Sequence, residues 1–273
     1  MKYKNILLTG GSGKLGISII KSGYFQNILA PSSKVLDLTN PSLVGKFFKD
    51  NKIDAIIHCA ALARMIECEN DPIKAINVNI IGTCNLVKEV IKIKSKMSAK
   101  QSFPNIPEKQ SFSIKKKGIR FIYISTDAVY PGKKGNYSEK DETIPYNKYG
   151  WTKLGAECAV NLLSNFCIIR TSFFDPNNIV FDKSPVDIYS SKMPVNELVK
   201  AIYDMIENDF IGTINIGNSR KSDFERYKEF KPFLKTCKLK DITKSLPFNM
   251  ASDASLSISL WNEIKSRHSK QTK

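Results

Sequence analysis

Two observations predict a doubly wound α/β fold on a parallel sheet. Strands and helices alternate through the first two-thirds of the 273 residues, the order that places helices on both faces of such a sheet. A glycine-rich turn follows the first apolar run directly and opens the first helix, as a dinucleotide-binding turn does. The expected division is a dinucleotide-binding domain over 1–170, carrying a basic insertion at about 93–114, and a smaller substrate-binding part over 171–273. From that second part, 194–216 is expected to return to the sheet. No internal repeat is visible.

Ile6 to Thr9 reads as a short buried strand, Gly10 to Gly13 as a tight turn and Lys14 onward as a helix. Gly10 permits the turn, Gly13 lets the backbone approach a pyrophosphate, and Gly16 lets helix and strand pack closely. Lys14 and Leu15 belong to the same cofactor-binding stretch, with the phosphate at the helix N-terminus against unpaired N–H groups. A short strand from Asn27 to Ala30 follows, then Pro31-Ser32-Ser33-Lys34. No Asp or Glu closes that strand to hold a ribose 2′-hydroxyl, whereas Ser32, Ser33 and Lys34 suit a 2′-phosphate. The cofactor is therefore NADPH or NADH, with NADPH favoured. Asp37, with Leu38 beside it, is placed to accept from an adenine amino group. Asn40-Pro41 starts a helix to about Asn51. Asp54 to Ala61 is a third buried strand, whose small residues Ala60 and Ala61 let a cofactor ribose lie close. His58 inside it reads as a packed imidazole. Asp71-Pro72 opens the next helix, on which Asn79 is expected to face the site.

From Ile93 to Ser113 the periodicity vanishes into polar, basic, Pro-containing sequence. A mobile insertion, leaving the end of the sheet opposite the site and dispensable for chemistry, is the expectation. Arg120–Ile124 is a strand running into Ser125, Thr126 and Asp127. The helix after it carries Tyr149 and Lys153, which share one face because four residues make about one turn. A phenol beside an ammonium is a device for moving a proton, since the positive charge favours the phenolate and lowers the Tyr pKa. A hydroxyl at the preceding strand end would hold a substrate oxygen against that phenol. Asn165 to Arg170 is a further strand, Pro194 or Val195 opens a helix to about Asn208, and Gly212 to Asn218 is the last strand. Short helical patterns around Phe224–Phe233 and Leu256–Ile264 complete the chain.

The formal charge of +16 is unevenly placed. Residues 92–120 carry eight Lys and one Arg against one Glu, and 262–273 carry four basic groups against one acid. Charge gathered in peripheral segments, without interleaved aromatics, argues against a nucleic-acid partner. No apolar run approaches the roughly 20 residues of a membrane span, and the apolar core at the N-terminus is too short for a signal peptide. The six cysteines have neither paired nor metal-type spacing. Reduced thiols in a cytoplasmic protein, with no metal site, are expected.

On these residues the chain resembles the extended short-chain dehydrogenase/reductase family, and within it the dTDP-4-dehydrorhamnose reductases and related sugar-nucleotide reductases. The stretches that carry the resemblance are T-G-G-S-G-K-L-G from Thr9, D-L-T from Asp37, H-C-A-A from His58, N-I-I-G-T from Asn79, S-T-D-A-V-Y-P-G from Ser125 and Y-G-W-T-K-L-G-A-E from Tyr149. I-I-R-T-S from Ile168, M-P-V-N-E-L-V-K-A-I from Met193 and T-I-N-I-G from Thr213 extend it almost to the end. The resemblance implies an NAD(P)-binding Rossmann fold in which Thr126 polarises the substrate oxygen and Tyr149 donates the proton. Lys153 then binds the nicotinamide ribose while lowering the Tyr pKa. It also implies cofactor contacts at Ser125, Tyr149 and Lys153, substrate contacts at Ser125, Thr126, Asp127 and Tyr149, and an assembly compatible with a homodimer. Three departures bear on the substrate: the segment between Arg170 and Met193 is short, Ala128 stands where the family often has an aromatic residue, and the basic insertion near residue 100 is atypical.

The function these features suggest is NAD(P)H-dependent reduction of a 4-keto-6-deoxy sugar nucleotide, in deoxysugar and polysaccharide precursor synthesis. A nucleotide-sugar epimerase of the same family, alone or fused with reductase chemistry, is the second enzymatic reading. Dehydration is disfavoured, because a 4,6-dehydratase would place Glu where Ala128 stands. The third reading is a non-catalytic NADP-binding regulatory subunit, of the kind associated with methionine adenosyltransferase.

Overall fold

The computed structural model describes residues 2–100, 118–244 and 246–271. Five strands follow the apolar runs: β1 (Ile6–Thr9), β2 (Ile28–Leu29), β3 (Ala55–His58), β4 (Arg120–Ile124) and β5 (Phe166–Arg170). Between them lie α1 (Lys14–Lys21), α2 (Pro41–Asp50), α3 (Met65–Asn70), α4 (Pro72–Ala75), α5 (Gly82–Lys100) and α6 (Lys148–Val160). Four short strands follow β5, namely β6 (Phe173–Phe174), β7 (Lys183–Pro185), β8 (Tyr189–Ser190) and β9 (Met193–Pro194). Then come α7 (Val195–Glu207), β10 (Gly212–Asn215), β11 (Lys221–Ser222), α8 (Asp223–Lys228) and β12 (Lys235–Cys237).

The central sheet has six strands in the order β10-β5-β4-β3-β1-β2, and every pairing in it is parallel. Side chains alternate across it with the period of two that a strand imposes. Ile6 and Leu8 pack into one layer with Leu15 and Ile19 of α1 and Leu198 and Ile202 of α7. Leu7 packs into the other layer with Phe48 of α2, Leu86 of α5 and Val160 of α6. The chain leaves β1 for β2 on one side and then crosses to β3 on the other. A crevice therefore opens at the carboxyl ends of β1 and β3, where an open α/β sheet binds its ligand. The region 194–216 contributes α7 and β10, and β10 pairs with β5. The short strands β6 to β9 pair with one another or with β11 and β12, outside the main sheet.

Several expected boundaries move. β2 keeps two residues of the four expected, because Asn27 turns into the left-handed region at φ 52° and only Ile28 and Leu29 find partners on β1. β3 stops at His58; the Cys59 N–H still donates to the Thr9 carbonyl at 3.1 Å, and Ala60 and Ala61 lie beyond the strand. α5 continues through 93–100 instead of losing structure at Ile93, since extending an existing helix with Lys, Ser, Met and Ala costs little. The rest of the predicted insertion, 101–114, lies outside the described residues. The short α3 was not legible, as its start at Arg64 has no side-chain cap. Asp71 caps α4 as expected, through a bond from the Lys74 N–H at 2.9 Å. The chain then passes through a π-helical turn over Ile76–Ile81 before α5. Of the two late helical patterns, the first is confined to α8 and the second becomes a helix over Ser259–Gln271.

Candidate active site

A cleft of ≈ 310 Å³ lies in the crevice, walled by the turn after β1, the loop after β2 and the end of β3. The close approach of these walls explains the glycines. Gly10 has φ 76°, and a Cβ there would lie 2.6 Å from the Ala60 backbone nitrogen. A Cβ on Gly16 would lie 2.2 Å from the Gly10 carbonyl oxygen, so only glycine lets α1 sit this near the turn. Gly13 starts α1 without a side-chain cap, leaving the helix N-terminus to the cleft. Of the expected cofactor residues, Gly10, Gly13, Ser33, Asp37, Leu38, Ala60 and Ala61 line this cleft. Gly11, Ser12, Ser32, Leu36, Thr39 and Cys59 line it too. Asp37 is half committed, because its Oδ1 accepts from both the N–H and the hydroxyl of Thr39, at 2.9 and 2.7 Å.

Other expected contacts lie elsewhere. Leu15 is buried in the core beneath α1, and Lys14 faces a groove shared with the start of α7. Lys34 is exposed and lies outside the cleft lining. Asn79 is spent on the backbone: it accepts from the Leu62 N–H at 2.7 Å and donates to the Leu62 carbonyl at 3.1 Å and to Thr152 Oγ1 at 2.8 Å. That clamp ties the loop after β3 to α6, so Asn79 shapes the site from behind instead of facing it. Ser125 is likewise turned away, donating its hydroxyl to Glu157. His58 is a satisfied core residue, with Nδ1 at 2.6 Å from Thr9 Oγ1 and Nε2 at 2.8 Å from Thr83 Oγ1. The Thr83 proton is already donated to the Asn79 carbonyl at 2.7 Å, so His58 carries its hydrogen on Nε2 and accepts from Thr9 at Nδ1. Burial first, and then Lys153, push its pKa down to about 3.

Tyr149 meets Thr126, and Lys153 follows one helical turn on; none of the three is in the cleft lining, and the link to it is Cys59, a lining residue that faces Lys153. Thr126 caps a 3₁₀ turn over Asp127–Val129, accepting from the Ala128 N–H at 3.2 Å. Asn147 caps α6 through the Gly150 N–H at 2.8 Å. A Cβ on Gly150 would lie 2.3 Å from the Ala128 carbonyl, so this glycine seats the start of α6 against the Thr126 turn. Tyr149, half-buried, has the Thr126 hydroxyl as a hydrogen-bonding neighbour. Its phenol is raised well above the usual range by burial, then by Asp127 and Cys68, with Thr126 acting against them. The expected lowering by Lys153 is not found: burial sets the direction, and the group acting against it is the Thr126 hydroxyl. Lys153 is buried one helical turn on, its Nζ 4.1 Å from the centre of the Tyr123 ring. Burial pushes its ammonium down to about 7, opposed by Glu157 and by Cys59. Cys59, which supports the Lys153 ammonium, also lines the cleft.

Asp127 opens on a second, smaller cavity of ≈ 90 Å³, shared with Tyr146, Ser172, Lys192 and Asp223. Burial pushes the Asp127 carboxyl up to about 6, against the pull of Lys192, Thr126 and Ser172. Lys192 donates to both oxygens of Asp223, at 3.0 and 2.9 Å. These neighbours were missed in the sequence. Tyr146 had a signal, standing three residues before Tyr149 just ahead of the α6 cap, but nothing around Lys192 or Asp223 sets them apart from ordinary surface charges.

Fold and cleft together define a dinucleotide-binding protein of the doubly wound α/β class. The model of the NAD dependent epimerase/dehydratase family matches residues 6–172, and the chain belongs to that family. It is 30% identical over 166 residues to methionine adenosyltransferase 2 subunit beta of Pongo abelii, a match covering 58% of this chain and 42% of that protein. It is 29% identical over 161 residues to dTDP-4-dehydrorhamnose reductase of Mycolicibacterium smegmatis, covering 58% and 41%. The chain thus aligns with less than half the length of these curated relatives. Among solved structures, a dTDP-4-dehydrorhamnose reductase from Clostridium acetobutylicum superposes with a TM-score of 0.78 at 25% identity, covering 95% of this chain and 92% of that one. A second, from Bacillus anthracis in complex with NADP, gives 0.78 at 22% identity with the same coverages and shows likeness of fold. The sequence resemblance to the extended short-chain dehydrogenases and their dTDP-4-dehydrorhamnose reductases therefore holds.

Proposed function

We propose that this chain is an NAD(P)H-dependent reductase of a 4-keto-6-deoxy sugar nucleotide. The observation that carries the reading is Tyr149 against the Thr126 hydroxyl, with Lys153 one helical turn on and facing Cys59, which lines a cleft built for a dinucleotide. The cleft fits that cofactor: Gly10 and Gly16 leave no room for a Cβ, and α1 starts uncapped. Gly10 to Gly13 would hold the pyrophosphate, Ser32 and Ser33 a 2′-phosphate, and Ala60 and Ala61 a ribose. A bound reduced nicotinamide supplies hydride. The Thr126 hydroxyl polarises the substrate carbonyl, and Tyr149 gives its phenolic proton to the oxygen as negative charge grows there. Burial that raises the Tyr149 pKa keeps that proton in place until it is needed. Lys153 holds the cofactor ribose, and Asp127 with Lys192 faces the sugar across the second cavity, in the smaller part formed after Arg170.

The test is purified protein with NADPH or NADH and a 4-keto-6-deoxy sugar nucleotide, followed by cofactor oxidation. Absence of oxidation with dTDP-, UDP-, GDP- and CDP-linked ketosugars would sink the reading. A second reading has its own support in the first relatives, named as beta subunits of methionine adenosyltransferase 2. On that reading the chain binds NADP and modulates a partner enzyme without turnover. Dinucleotide binding without oxidation of any ketosugar, together with altered kinetics of an added methionine adenosyltransferase, would favour it.

A further inference from the structure

Beneath the proton-transfer pair lies a buried polar chain that the reaction does not itself use. Glu157 is 2% exposed and sits on α6 one turn beyond Lys153, also 2% exposed. Its carboxylate accepts the Ser125 hydroxyl and is forked by Arg170 of β5, from Nε at 3.1 and 3.2 Å and from Nη2 at 2.7 Å. Arg170 Nη1 donates to the Tyr130 hydroxyl at 2.9 Å, and that hydroxyl donates to Asn215 Oδ1 on β10 at 3.0 Å. Asn215 in turn donates to the Tyr137 carbonyl at 2.8 Å. The chain runs from the edge of the sheet to the residue preceding Thr126.

We propose that Glu157, fixed by Arg170, is a positioning residue that anchors the strand end carrying Thr126 and supplies the counter-charge that keeps Lys153 an ammonium in a buried site. The groups facing Lys153 are few. Glu157 lies on its own helix, Cys59 and His58 act from the β3 side, Tyr123 presents its ring from β4, and Tyr149 precedes it by one turn. Glu157 is the carboxylate among them. It is shared between Arg170, which holds it in place, and Lys153, which it supports through space. Removing the charge but not the shape would leave a buried guanidinium near a buried ammonium, and the ammonium would give up its proton more readily.

The experiment titrates Lys153 directly by nuclear magnetic resonance in full-length protein with isotopically labelled lysine, the signal assigned with Lys153→Arg. In Glu157→Gln the Lys153 midpoint should fall by about one pH unit or more, a tenfold loss of the charged fraction above the midpoint. A folded Glu157→Gln whose Lys153 midpoint stays at the wild-type value overturns the proposal, since a merely structural role would lower stability and leave the titration alone. If Glu157→Gln does not fold, Arg170→Lys decides. It keeps the charge, loses the fork and frees Glu157, so the Lys153 midpoint should rise, and an unmoved midpoint overturns the proposal. The Thr126 arm rests on the reductase reading. Ser125→Ala should lower kcat at least about tenfold with KM for the dinucleotide little changed, and unaltered kcat removes the anchoring role. Failure of every variant and of the wild type to turn over any ketosugar would sink the reductase reading alone, because the titration does not depend on turnover.

Discussion

Tyr149 and Lys153 are separated by a single helical turn, yet burial moves their pKa values in opposite directions, the phenol up and the ammonium down to about 7. Tyr149→Phe keeps the ring and removes the proton, so kcat should fall by roughly 10²–10⁴-fold while dinucleotide affinity stays within a few-fold. Steady-state kinetics beside fluorescence titration of NADPH checks this. Lys153→Met should cost turnover more than ketosugar binding. His58 makes a separate prediction about stability. Folded, it stays neutral down to about 3, whereas the unfolded chain takes up a proton near the ordinary 6.5. The unfolded state therefore binds more protons between those values, and the contribution of the neutral imidazole, complete above 6.5, is lost as pH falls toward 3. Urea unfolding over that window should show an added slope of about 1.4 kcal/mol per pH unit, flattened in His58→Asn.

The first βα turn and the loop after β3 hold the cleft open between them, and each depends on one residue. Gly16→Ala would drive a methyl group into the Gly10 carbonyl. Pushing α1 off the turn should cost about 1–3 kcal/mol of stability and weaken dinucleotide binding more than it affects the remote β10 edge. Urea denaturation and hydrogen exchange resolved along the chain would separate those effects. Asn79→Ala leaves the Leu62 N–H and carbonyl without their partner, and a loss of about 1–3 kcal/mol is expected. Because Asn79 also holds Thr152, beside Lys153, the variant should lower turnover as well, without contact to either ligand. The glycines were readable because their spacing after a strand has a single backbone purpose. The Asn79 clamp was not, since a polar residue on a helix looks the same whether it faces a ligand or a loop.

The six-stranded sheet places every cleft wall at its carboxyl edge, so ligand binding should be felt by the whole domain. NADPH at about one hundred times its dissociation constant should raise unfolding free energy by about 2.7 kcal/mol. A thermal-shift series with NADPH and NADH side by side then ranks the two cofactors. Equal shifts would remove the preference argued from Ser32 and Ser33.

From its own periodicity the sequence determined the alternation of strands and helices, the glycine turn, and the placing of Tyr149 and Lys153 on one helix face. Those are local facts, fixed by spacing along the backbone. Which side chains reach the cleft was decided by tertiary structure. Ser125 turns to Glu157, Asn79 to Leu62 and Lys14 to a groove by α7, while Tyr146, Lys192 and Asp223 arrive from distant segments to share one cavity. Burial, which likewise exists only once the layers have packed, set the direction of the pKa shifts at His58, Asp127, Tyr149 and Lys153. Hydrogen-bond partners and desolvation are properties of what surrounds an atom in space, and chain order does not specify them.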